Sequence, residues 1–293
     1  MAEIIQKDGT WAFVGDSLRL TPGRDKNVSL ARRTLGELEV PLQALAGVSF
    51  EQGRRSGRLR LRLRDGADPL LHATGGRLAE SDDPYRLTVD SDRYGVAEYF
   101  AEEVRNALLL EGVSAGPVTE YLLPGPSLPV SAAAGDGSAA FDGEQVRLEW
   151  NWKTEDAKAA TGPRTIRLTE ITAVEWQPAA GLENGHLRFS VHGAPVAAPP
   201  KYDPNAVELW GFKKDPLMAL VAAAVQARLP HPSAPAAEAL VPRQAVPLDK
   251  APAAEDDHDA LLRRLRELGE LHRSGVLTDE EFTLAKRAVL HRM

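Results

Sequence analysis

The chain contains no cysteine. That excludes a disulfide framework, a thiolate nucleophile, an iron–sulfur cluster and any Cys-ligated zinc. Positive charge is not in excess either: 35 Lys and Arg face 42 Asp and Glu, a net charge of -7. This is the wrong sign for a protein that holds nucleic acid by neutralising phosphates, so no nucleic-acid partner is expected. Long apolar stretches are missing as well. The longest run, Leu217 to Val225, is about half of the roughly 20 residues that a membrane span needs. Met1 to Lys7 have no apolar signal core, so a cytoplasmic protein without a transmembrane segment is expected. No dinucleotide fingerprint, phosphate loop or nucleophile elbow appears, and neither an enzyme nor a cofactor is expected. The seven histidines form no ligand set. His186 and His192 share a predicted strand face but sit about 20 Å apart at strand rise, too far for one ion. His72, His231, His258, His272 and His291 are scattered, so no metal is expected. What is present, 293 residues at 43% hydrophobic, is enough for ordinary cores and about two domains.

The chain repeats itself. Asp8-Gly9 with Phe13, Gly15, Leu18, Arg19 and Leu20 matches Asp136-Gly137 with Phe141, Gly143, Val146, Arg147 and Leu148, at a constant offset of 128. Val40, Leu42, Leu45, Val48 and Phe50 match Ile166, Leu168, Ile171, Val174 and Trp176 at an offset of 126. Gly57 to Leu61 matches Gly185 to Phe189, and Asp83-Pro84 matches Asp203-Pro204. Ordered matches with a drift that loop insertions would produce mark a duplicated unit.

Alternation of apolar and polar residues predicts strands over 11–20, 38–42, 48–52, 58–64 and 85–89. Turns fall at Asp16-Ser17, Gly53 and Asp65-Gly66, and Gly75-Gly76 reads as a loop. From Val96 to Leu110 the period becomes helical, with Val96, Phe100, Val104 and Ala107/Leu108 on one face. Repeat two ends likewise, with Leu217, Leu220/Val221, Ala224/Val225 and Leu229. The fold class is therefore α+β: two tandem antiparallel-strand units, residues 1–112 and 136–229, each closed by one helix. The element order resembles a bacterial pleckstrin-homology-like (PH-like) domain, including the segment Val40-Pro41-Leu42 to Val48. That resemblance implies a fold and no activity.

Residues 113–135, with Pro117, Pro124, Pro126 and Pro129, read as an extended connector. Residues 230–256, with six prolines among alanines, read as a disordered tether several tens of Å in reach. Over 257–293 a helical hairpin is expected. Asp257 or Asp259 caps a helix bearing Leu261/Leu262, Leu265, Leu268 and Leu271, and Ser274-Gly275-Val276-Leu277 breaks it. Thr278-Asp279-Glu280-Glu281 forms a capping box before Phe282, Ala285 and Val289. About 35 residues are too few for an independent core, which implies a partner. The run Leu265-x-x-Leu268-x-x-Leu271, Ser274 to Phe282 and Lys286 closely resembles the short C-terminal (SHOCT) domain. This family implies an oligomerising or partner-binding tail, with Leu265, Leu268, Leu271, Val276, Leu277, Phe282, Ala285 and Val289 as its packing surface. The whole layout resembles an actinobacterial family, built on a domain of unknown function, that joins two PH-like repeats to such a tail.

Two features are candidate sites. Arg58-Leu59-Arg60-Leu61-Arg62-Leu63-Arg64 sends three leucines to one strand face and four arginines to the other, with Arg54 and Arg55 in the preceding turn. It is either an anion or partner site (lipid headgroup, phosphopeptide, acidic protein) or a solvated face paired with acids such as Glu37 and Glu39. Repeat two has His186, Arg188, Ser190 and His192 at the matching outward positions. Trp150 and Trp152 place two indoles on one strand face, for an aromatic binding groove or for packing between repeats. Trp11, Trp176 and Trp210 read as core. Glu80-Ser81-Asp82-Asp83 reads as turn chemistry.

The expected function is that of a non-enzymatic cytoplasmic binding or scaffold protein. PH-like bodies bind ligands or partners, and the hairpin self-associates or docks another protein, adding avidity. The alternative is peripheral attachment to anionic lipid at the inner membrane face through the arginine strand.

Overall fold

The computed structural model describes residues 2–193 and 198–234. The hairpin expected over 257–293, its packing residues Leu265, Leu268, Leu271, Val276, Leu277, Phe282, Ala285 and Val289, and the tether from 235 to 256 lie outside the described residues.

Repeat one opens with four antiparallel strands in sequence order: β1 (Ala2–Ile5), β2 (Gly9–Val14), β3 (Ser17–Pro22) and β4 (Leu38–Pro41). A short helix, α1 (Leu30–Leu35), spans the β3–β4 connection and starts where the Ser29 side chain accepts the Arg32 N–H. Three further strands, β5 (Leu45–Glu51), β6 (Ser56–Leu63) and β7 (Arg86–Asp90), make a second antiparallel sheet. Helix α2 (Pro69–Thr74) lies in the β6–β7 connection, and α3 (Tyr94–Leu110) closes the unit. The core forms where alternation points leucines inward and α3 contributes Ala97, Phe100, Ala101 and Val104. Trp11 and Phe100 meet there with ring centroids 6.3 Å apart.

Repeat two reproduces the order. Its four-stranded sheet is β8 (Val130–Ala134), β9 (Gly137–Phe141), β10 (Gln145–Trp150) and β11 (Arg164–Arg167), with α4 (Asp156–Ala159) between β10 and β11. Its three-stranded sheet is β12 (Ile171–Gln177), β13 (Gly185–Val191) and β14 (Ala206–Leu209), followed by α5 (Asp215–Gln226). Trp176 and Phe189 are buried in its core.

Several expectations need correction. The connector is neither extended throughout nor detached: Val118 and Leu123 are buried in the core of repeat one, and Val130–Ala134 is the first strand of repeat two. That strand has one large apolar residue, so its alternation was invisible. Trp210 is only half-buried and packs edge-on to exposed Phe212. Helix α5 was expected to bury one face, yet every residue from Met218 to Gln226 is buried. One side of α5 lies on β8, β9 and β12, and the other receives α1 and α2 of repeat one. Leu70 and Ala73 of α2 accordingly belong to the core of repeat two. At Gly125 in the connector, any Cβ would come 2.6 Å from Ala227 Cβ, so the chain passes α5 only as glycine.

Candidate functional site

Strand β6 alternates as the sequence demands: Leu59, Leu61 and Leu63 are buried and Arg58, Arg60 and Arg62 exposed. The arginines differ in their neighbours. Arg58 faces Glu51 at 3.8 Å and Glu80 at 3.5 Å. Arg62 reaches the Ala46 carbonyl at 3.5 Å. Arg64 donates to the carbonyls of Gly116 (2.8 Å), Gln43 (3.1 Å) and Pro117 (3.4 Å), and so fastens the connector to the sheet. The acids expected as partners, Glu37 and Glu39, are not beside β6. Glu37 pairs with Arg19, and Glu39 accepts from Ser17, because both acids flank β3 in the other sheet. Arg54, Arg55 and Arg60 make no ion pair among the described residues.

Arg60 instead lines a cleft of about 640 Å³ together with Arg64, Arg86, Asp65, Asp68, Asp83, His72 and His231. Asp68 is the N-cap of α2, accepting the N–H groups of Leu70 and Leu71 and the Tyr85 hydroxyl. Burial pushes its pKa up to about 6, against the lowering effect of those hydrogen bonds. Arg86 is held by Asp83 at 2.9 Å and by Glu80, so the acidic cluster does more than shape a turn. His72 shares a hydrogen bond with the Tyr121 hydroxyl, and the Tyr121 and His231 rings meet at 4.7 Å. Burial and the neighbouring His231 lower the pKa of His72. His72 and His231, scattered in the sequence, are brought together by the fold with their rings 6.4 Å apart. Their separation in sequence hid this, as did the assignment of His231 to the tether.

The Asp-Gly pairs that reveal the duplication turn out to be clasps, partly buried in repeat one and fully buried in repeat two. In repeat one, Asp8 Oδ1 accepts from Arg32 at 2.8 Å and Oδ2 accepts the Thr88 N–H at 3.0 Å. In repeat two, Asp136 Oδ2 accepts from Lys158 Nζ at 2.6 Å and Oδ1 accepts the Glu208 N–H at 2.8 Å. Each clasp ties the first turn of a unit to its short helix and to its last strand. Lys158 is fully buried, lies 4.5 Å from the Trp150 ring centroid and also donates to the Pro200 carbonyl. Burial moves Asp136 up and Lys158 down, and their mutual hydrogen bond opposes both shifts. The glycines follow from close approach: a Cβ at Gly9 would sit 2.8 Å from the Thr21 carbonyl oxygen, and at Gly137 2.5 Å from that of Glu149. No reactive group is exposed here. The clasps hold structure.

The two indoles do not share a strand face. Strand β10 ends at Trp150, where the Asn151 N–H turns back to the Asp136 carbonyl. Trp150 is half-buried and donates to the Gly162 carbonyl at 2.8 Å, while Trp152 is 89% exposed and so packs against neither repeat. His186 is also not outward: it is buried, with Nε2 3.8 Å from the Glu175 carboxylate, and burial lowers its pKa. Among the described residues no group of three or more His, Asp or Glu is arranged to hold a metal ion, and no helix is long and apolar enough to cross a membrane.

A duplicated α+β unit whose copies share strand order, clasp and closing helix defines a tandem-repeat protein. The chain belongs to the family of the domain of unknown function DUF4429, which matches residues 11–105 and 139–226, one match in each repeat. The short C-terminal domain, SHOCT, matches residues 263–290. The search of curated proteins returns no match.

Proposed function

We propose that the protein is a cytoplasmic, non-enzymatic binding scaffold in which repeat one takes an anionic group in the Arg60 cleft and the SHOCT segment brings copies or partners together. The arrangement of four strands, three strands and a closing helix in each repeat supports a PH-like reading of the two bodies. The observation that carries the ligand reading is Arg60, a guanidinium without an ion pair among the described residues, on the wall of a cleft large enough for a small ligand. With Arg58, Arg62 and Arg64 already engaged, geometry favours this cleft over a flat cationic face on β6.

Titration with inorganic pyrophosphate at low salt tests the site. Wild type should bind, and Arg60→Glu should weaken binding at least tenfold; equal binding by both would refute the cleft. The pH dependence has a definite sign. Below about pH 6 Asp68 becomes neutral, removing a negative charge from the lining of the cleft. Pyrophosphate also takes up a proton over this range, so the effect is read against the variant: from pH 7.5 to 5.5 the affinity of wild type should rise several-fold relative to that of Asp68→Asn. For the scaffold reading, truncation after residue 255 should leave the repeats folded and lower the particle mass in light scattering. An unchanged mass would remove the oligomerisation claim.

A further inference from the structure

One corner of repeat two exposes apolar surface that the fold itself does not require. The turn after β10 presents Trp152, 89% exposed, and the turn between β14 and α5 presents Phe212, 61% exposed. Half-buried Trp210 lies between them in chemistry and place. Its ring is 6.3 Å from that of Phe212, and Lys153 Nζ lies 5.0 Å from the Trp210 ring and 5.3 Å from the Trp152 ring. Beside these aromatics a shallow depression of about 490 Å³ is lined by Lys153, Lys213 and Lys214 over a floor of small residues.

The Phe212 turn is braced. Asp215 accepts the N–H groups of Gly211 at 2.7 Å and Phe212 at 3.2 Å, and the Trp176 indole donates to the Asp215 carbonyl. Phe212 is thus held outward by a buried carboxylate. Glu208, the half-buried acid on β14, is engaged by Trp210 Nε1 at 3.2 Å and by Asn184.

Repeat one serves as an internal control. Strand registers place Gly9 opposite Pro22 and Gly137 opposite Trp150, so Trp152 corresponds to Arg24 and Lys153 to Asp25. Gly57 faces Val89 and Gly185 faces Leu209, so Trp210 corresponds to Asp90 and Phe212 to Asp92. The same corner is built in repeat one with charged residues. Its aromatic and lysine content in repeat two is therefore not a requirement of the shared fold.

We propose that this corner docks on an anionic lipid surface, with Trp152 and Phe212 entering the headgroup layer and Lys153, Lys213 and Lys214 facing the lipid phosphates. Outward-projecting indole and phenyl rings suit the interfacial zone, where an apolar body and a polar edge are both satisfied. A soluble anion could engage the lysines but would leave both rings in water. Lysines near such a surface each strengthen partitioning about fivefold at physiological salt, and the effect falls with ionic strength.

The test is co-sedimentation of the full chain with vesicles of phosphatidylcholine containing about a third phosphatidylglycerol, at low and high salt, with tryptophan emission recorded in parallel. Wild type should sediment with anionic vesicles and not with pure phosphatidylcholine, release in high salt, and show a blue shift in emission. Trp152→Ala with Phe212→Ala should cut binding at least tenfold and abolish the shift. Lys153→Glu with Lys213→Glu and Lys214→Glu should cut it about a hundredfold, while Arg58→Glu with Arg62→Glu, both outside the Arg60 cleft, should leave it near wild type. Thermal melting checks that each variant is folded. Absence of binding at low salt overturns the proposal, as does loss in the arginine variant alone. So does a fall in particle mass without vesicles in the aromatic variant, which would make the corner a contact between copies.

Discussion

Lys158→Met is expected to lower the unfolding free energy by about 3–5 kcal/mol, the penalty for leaving a buried charge without its partner. In a body of this size that is a fall in melting temperature of roughly 10 °C. Lys158 and Asp136 are both buried, and methionine fills the stem of the lysine while removing its charge. The isolated Asp136 carboxyl must then either remain ionised away from water or take up a proton, so the deficit should shrink as the pH is lowered. Asp136→Asn added to Lys158→Met should recover part of the loss, since the amide oxygen can still accept the Glu208 N–H. The sister clasp should cost less to break, because the Asp8 side chain keeps 24% exposure and water can replace part of what Arg32 supplies. Chemical denaturation of the three variants, Lys158→Met, the double variant and Arg32→Met for the sister clasp, measures this order. A Lys158→Met protein that melts with wild type would show that the clasp carries no weight.

Leu70→Ala should cost about 2–5 kcal/mol, the usual range for a large-to-small change in a core. Its particular interest is where that core lies. Leu70 belongs in sequence to repeat one and in space to the core of repeat two, so its truncation loosens the joint between repeats as well as opening a cavity. Scanning calorimetry of residues 1–237 should give one transition for wild type and two for the variant, with repeat two melting first. A single transition at the wild-type temperature would mean that Leu70 neither stabilises repeat two nor couples it to repeat one.

What could be read from the sequence was what depends on neighbours in the chain. The alternation of Leu59, Leu61 and Leu63 with arginines assigned both faces of β6, because strand period is a local property. The Asp8-Gly9 and Asp136-Gly137 pairs exposed the duplication because the clasp needs a short acid and a residue without Cβ at one turn. What escaped depended on distant partners. Helix α2 is six residues long, too short to show a period, and its Asp68-Pro69 start resembles any turn. The all-round burial of α5 is caused by α1 and α2, which its own residues cannot report. Trp152 leaves the strand because Asn151 bonds to Asp136, fifteen positions earlier. The cleft joins β6 to His231 across most of the described chain, so only its arginine wall was visible beforehand. The offset that carries Asp8 to Asp136 also carries Ile4 to Ala132, and so marks β8 inside the connector.

The connection between the second and third strands of the smaller sheet spans residues 64–85 in repeat one and 192–205 in repeat two. The longer version holds α2, the element that lies against α5. Two equal copies of a unit can go on stacking, each offering the next what it received from the last. Among the described residues only the first copy carries the helix that docks, and the closing helix of the second is already covered by it. The two copies are therefore unequal partners: repeat one gives a helix to the joint, and repeat two, among the described residues, has no counterpart to pass on.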